Sequence, residues 1–155
     1  MENETSKNNE KNKISVGLII SHDDLVQSPI FPEEVKQEIS VTDYYLLIYI
    51  SREDVVKVSC FPTDTKNIKK ILIKLKEFSP DLVKGISNVL KDLNLSKDIL
   101  HTTGLCYELE NCFYETYLVG NELDSEDQIQ KIKEEFTAVA KVINVIVEDI
   151  PSLWE

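Results

Sequence analysis

The 155-residue sequence holds a single arginine, Arg52, together with two histidines, three cysteines, four glycines and one tryptophan. Each shortage closes off a class of chemistry. Acids outnumber bases by 28 to 17, for a formal net charge of −11. Clustered cations that neutralise phosphates, and arginines that read guanine, are therefore missing. Direct nucleic-acid binding is not expected, and an acidic membrane surface is disfavoured on the same ground. Neither His22 nor His101 stands in a recognisable nucleophile motif, so no serine–histidine–acid arrangement is legible. There is no Gly-rich phosphate loop, no Gly-x-Ser-x-Gly and no His-Glu-x-x-His. The sequence thus assigns no catalytic residue, no metal ligand and no cofactor, and the expected protein is not an enzyme. No apolar run approaches the roughly 18 residues of a membrane span, and 17–20 is too short for a secretory apolar stretch. A soluble, cytoplasmic protein is the expectation.

The few cysteines argue against a disulfide scaffold. Cys106 and Cys112 flank Tyr107-Glu108-Leu109-Glu110-Asn111. With a turn at Glu108–Glu110 they face each other across a hairpin, near enough for a disulfide or a soft metal. A reducing cytoplasm favours the third possibility, paired small strand residues that remain thiols.

What is present is a 42% hydrophobic chain, enough for a real core in one domain with an appendage. Residues 1–12 are polar and charged, and are expected to be a disordered tail. Ile14–Ile20 reads as a buried strand, and the stretch from His22 as a loop whose His22, Asp23 and Asp24 lack the repeated spacing of a metal site. Phe31–Ser40 reads as a short helix led by Pro32. Tyr44–Ile50 and Asp54–Phe61 form a hairpin across Ser51-Arg52-Glu53. Tyr44, Tyr45 and Tyr49 are read as sheet packing, with a recognition surface as the alternative. This β-rich segment spans 13–62, a linker 63–68, the main unit 69–150 and a tail 151–155.

The main unit reads strand–helix–strand–strand–helix–strand. Ile71, Ile73 and Leu75 alternate with Lys70, Lys74 and Lys76, which puts one face on the helices and the other toward water or a partner. Ser79, Pro80 and Asp81 are a helix start, and Leu82, Val83, Ile86, Val89, Leu90 and Leu93 its apolar stripe. Gly85 inside that helix points to close approach of helix and sheet. Ser125 with Gln128 opens a second helix, and Ile143, Val145 and Val147 mark the last strand. Trp154 is expected either to dock on the body or to mark a contact surface.

That order, the acid-aromatic-Ser-Pro-Asp-Leu step at 77–82 and the Thr-Gly of Thr103-Gly104 together resemble the ACT domain family. The resemblance implies an α+β fold, a ferredoxin-like βαββαβ sandwich preceded by the N-terminal hairpin segment. It further implies a regulatory dimer that senses a small ligand, possibly an amino acid. The matching ligand positions are Glu77, Phe78, Ser79, Pro80, Asp81, Leu82 and Gly104. Asp81 departs from the pattern, since a glycine is common there and a carboxylate opposes an anionic ligand. Over 31–62, the Phe31-Pro32-Glu33-Glu34-Val35 and Asp43-Tyr44 steps resemble AbrB-type swapped hairpins, which implies hairpin topology without DNA binding. An adaptor for a protein partner, with no small ligand, is the alternative function.

Overall fold

The computed structural model describes residues 11–154, without the side chains of 121 and 122. The expected disordered tail lies outside the described residues except for Lys11 and Asn12.

Strand β1 (Ser15–Ser21) runs into helix α1 (His22–Gln27), and a short α2 (Glu33–Lys36) follows. Strands β2 (Tyr44–Arg52) and β3 (Val55–Thr63) form a hairpin. Its two-residue turn, Glu53-Asp54, has φ of 50° and 66°, the doubly positive geometry that matches the twist of the flanking strands. Then come β4 (Ile68–Leu75), α3 (Pro80–Asp92), β5 (Ile99–Cys106), β6 (Cys112–Val119), α4 (Glu126–Thr137) and β7 (Val142–Asp149). Two antiparallel sheets result, one ordered β1-β2-β3 and one β5-β6-β4-β7.

Alternation along the strands assigns the layers. Ile71, Ile73 and Leu75 of β4 join Tyr114 and Leu118 of β6 beneath Leu82, Ile86 and Leu90 of α3 and Ile132 and Phe136 of α4. The opposite face of this sheet, with Ile68 and Tyr117, packs on Ile19, Leu46 and Ile48 of the three-stranded sheet. Beyond that sheet, Leu25 of α1 covers Ile20, Tyr45 and Leu47. Helices, sheet, sheet and helix are stacked in that order. Each large aliphatic side chain removed from water in these layers contributes roughly 1.5–3 kcal/mol.

This arrangement overturns the expected ferredoxin-like, ACT-like sandwich with a hairpin appended. The structure is a mixed α+β fold with two antiparallel sheets of three and four strands and four α-helices. The N-terminal segment is a whole sheet rather than an appendage, and it closes the face of β4 that was expected to meet water or a partner. Lys70, assigned to that solvated face, is 1% exposed. The alternation of lysines was misleading because Leu72 shares their face and Lys70 has a buried partner.

Smaller expectations also change. The stretch after β1 is not a loop: Ser21 caps α1 by accepting from the Asp24 amide, and the Asp24 side chain accepts from the Ser21 amide. Only Glu33–Lys36 of the expected 31–40 helix is helical, with Pro32 as its N-cap. Gly85 makes room for Val139, just past the end of α4, rather than for the sheet, since a Cβ there would stand 3.0 Å from Val139 Cγ1.

Candidate functional site

The residues at 77–82 are occupied in building the fold. Ser79 Oγ accepts from the Leu82 amide at 3.2 Å and caps α3, which satisfies one of the helix's orphan donors. Pro80 occupies the first turn, and Leu82 is buried in the helix-side core. Glu77 is ion-paired with Lys141. Asp81 is exposed in the first turn, where the helix dipole favours a carboxylate. Phe78 and Gly104 do meet: a Cβ on Gly104 would stand 2.6 Å from Phe78 Cζ. None of the cavities beside Arg52, Leu95 and Trp154 is lined by any residue of 77–82, although Gly104 lines one of them.

Between the sheets lies a sealed polar cluster. Lys70 Nζ is 3.2 Å from Glu115 Oε1, and the two side chains are 1% and 0% exposed. Glu115 also accepts from the amides of Ile14 (2.5 Å) and Ser15 (3.1 Å) and from the Ser15 hydroxyl. Lys70 donates to the Ser15 carbonyl at 2.7 Å, and the Tyr117 hydroxyl lies 2.6 Å from Ser15 Oγ. Burial pushes the Lys70 ammonium below its ordinary value, and the neighbouring carboxylate opposes part of that shift. Burial also raises Tyr117. Every group is paired and none reaches solvent. The cluster therefore registers the two sheets against each other and offers no access to a substrate.

Among the described residues no group of three or more His, Cys, Asp or Glu could hold a metal. His22 is instead 3.2 Å from the Tyr45 hydroxyl. Cys106 and Cys112, opposite each other in the β5–β6 ladder, form a disulfide. This corrects the expectation of paired thiols. Direct cross-strand placement of two cysteines is the geometry that permits the bond. The remaining thiol, Cys60, is pushed up to about 11 by burial, which leaves it unreactive at neutral pH.

The outer face of the three-stranded sheet is different in character. α1 covers only one end of it. At the other end Val16 pairs with Tyr49, and Tyr49 with Val58, in a row across all three strands. Val16 is 50% exposed, Val58 47% and Val56 58%. Along the same face Leu18, Leu47 and Tyr49 line a cavity of about 330 Å³ whose far wall is Ile30, Leu153 and Trp154. The C-terminal segment is fixed here: Ile19 donates to the Pro151 carbonyl, Leu153 donates to the Ile19 carbonyl, and Trp154 Nε1 donates to Asp24 Oδ1 at 2.9 Å. That hydrogen bond is the main reason the Asp24 carboxyl is held below its ordinary value. Trp154 is thus docked by its nitrogen while 82% of its surface stays exposed. Of the three tyrosines, only Tyr49 belongs to this surface. Tyr45 is fully buried and donates to the Ser40 carbonyl, and Tyr44 packs inward.

Val16 and Val58 were not singled out by sequence reasoning. Their signal was the hairpin itself, since Val55, Val56 and Val58 place apolar residues on both faces of one strand. Glu115 had a clearer signal, as the lone acid inside the apolar run Cys112–Val119.

No helix among the described residues is long and apolar enough to cross a membrane. No protein-family model matches this chain, and no curated protein matches it.

Proposed function

We propose that this chain is a non-catalytic protein-interaction module, and that its contact surface is the outer face of the β1-β2-β3 sheet. The observation that carries the reading is the row Val16–Tyr49–Val58, uncovered across three strands and continuous with the trough walled by Trp154. Contiguous apolar surface of this kind is a feature of interaction sites, and an aromatic with a fixed polar end is a usual anchor in them. Asp24, Glu53 and Asp54 lie near the ends of this face, and the chain carries a net charge of −11. A partner with an apolar strip and a basic rim is therefore complementary. Self-association, the dimer implied by the sequence resemblance, would bring two strongly acidic surfaces together. Native mass separates the two cases.

The test compares affinity capture by the wild-type chain and by Val58→Glu. Val58 is half exposed, so the variant should melt like wild type, yet a charge would sit at the centre of the apolar row. A captured protein that is lost by Val58→Glu and kept by Lys84→Glu on α3 supports the reading. Equal retention by both variants overturns it.

A cytoplasmic location belongs to the same proposal. The Cys106–Cys112 disulfide opposes that location, since a cytoplasm keeps such a pair as thiols, so thiol labelling of protein taken directly from cells tests it. A disulfide in that sample counts against it.

A further inference from the structure

A cavity of about 260 Å³ opens between the two sheets, at the edge where β3 and β5 lie. Its composition runs against that of the chain. Acids outnumber bases 28 to 17 overall, yet the charged residues lining this cavity are Arg52 and Lys57, with no carboxylate among them. Arg52 is the sole arginine of the sequence. Neither cation is in an ion pair among the described residues. Thr103 adds a hydroxyl, and the walls include Ile50, Val55 and Leu105. Two unpaired cations at the rim of an aliphatic cleft match a ligand with one charged end and one apolar end.

We propose that this cleft binds a small apolar monocarboxylic acid. The carboxylate is held by Arg52 and Lys57, and the hydrocarbon part lies against Ile50, Val55 and Leu105. A guanidinium fork matches a carboxylate in a two-bond geometry, which favours this anion at Arg52. Size sets the class: at roughly 30 Å³ per water the cavity has room for about nine waters, or an acid with a similar number of heavy atoms. Charge limits it further. An adjoining cavity of about 530 Å³ shares Arg52 and Val55 and is also lined by Lys11, Glu53 and Asp54. Its two carboxylates offset its two cations, which leaves little surplus positive charge for the additional charges of a phosphate ester or a dicarboxylate and favours a single negative charge.

The experiment titrates the isotope-labelled protein with benzoate and follows the backbone amides of Thr103, Gly104 and Leu105 by nuclear magnetic resonance. Saturable shifts at these amides are expected at millimolar benzoate. Benzyl alcohol, which lacks the charge, should bind at least roughly tenfold more weakly, and inorganic phosphate should not compete. Arg52→Gln, on an exposed strand end, should leave the melting temperature unchanged and weaken benzoate binding by roughly tenfold. Any of several results would overturn the proposal. These are no saturable shift at the three amides, equal binding of the alcohol and the acid, and unchanged affinity in Arg52→Gln. Effective competition by phosphate would likewise reject the apolar-acid assignment in favour of a general anion site.

Discussion

Gly17 of β1 lies directly against the ring of Tyr117 on β6: a Cβ built on Gly17 would stand 2.8 Å from Tyr117 Cε1 and 3.2 Å from Ile150 Cγ2. The absent side chain lets the two sheets approach closely enough for Ser15 to reach both Glu115 and Tyr117. Tyr117 is fully buried and cannot swing into solvent. Gly17→Ala should therefore destabilise the protein by about 1–3 kcal/mol through overpacking. Chemical denaturation measures this, and an unchanged midpoint would mean that the sheets separate at little cost.

Breaking the buried ion pair from one side should be worse than removing it entirely. Glu115→Leu leaves the Lys70 ammonium buried without its counter-charge and removes the acceptor of the Ile14 and Ser15 amides. A loss of about 3–5 kcal/mol is expected. The double variant Lys70→Met with Glu115→Leu should recover a large part of that loss. If the double variant is as unstable as the sum of the singles, the pair is not acting as a unit.

His101 packs against Phe61 between the sheets, with ring centroids 5.1 Å apart, and burial lowers its pKa below the ordinary histidine value. The unfolded chain then binds a proton more readily than the folded one between the lowered value and about 6.5. Stability from this group is complete above about pH 6.5 and is lost as pH falls through the folded-state value. Melting temperatures measured across this range should fall toward acid in the wild type and fall less steeply in His101→Gln. Parallel slopes would remove His101 from the acid response.

The disulfide closes a short loop, with a sequence separation of 6. Loop-closure entropy for so small a ring amounts to about 2 kcal/mol. Its β5–β6 turn also holds the entering N-terminal segment, since the Tyr107 hydroxyl donates to the Lys13 carbonyl and Asn111 Nδ2 to the Lys11 carbonyl. Reduction should lower the melting temperature and raise hydrogen exchange first in 105–112 and at the start of β1. Uniform acceleration across both sheets would contradict this local role.

Much of the local structure was legible because each boundary has its own short-range chemistry. Ser79-Pro80-Asp81 and Ser125 start α3 and α4 through hydrogen bonds made within three residues. Ser21 and Asp24 carry the same kind of signal for α1, a capping box within three residues, which reading the stretch as a loop misses. The stacking of the two sheets was not legible, because it depends on contacts about a hundred residues apart, such as Ser15 with Glu115. Lys70 looked solvated because a lysine in an alternating strand usually is, and only its distant partner makes burial tolerable. The candidate surface was hidden for a related reason: Val16, Tyr49 and Val58 look like core residues until the layer that would cover them is found to stop short.

If this uncovered row meets a protein partner, a crosslink should form there. A photo-crosslinking amino acid placed at Val58 in cells, with Lys84 as the control on the far side of the molecule, tests it most directly. One discrete covalent adduct is expected from position 58, of a mass that differs from twice that of the chain, and none from position 84. No adduct at 58, equal labelling from both positions, or an adduct of two copies of this chain would contradict it.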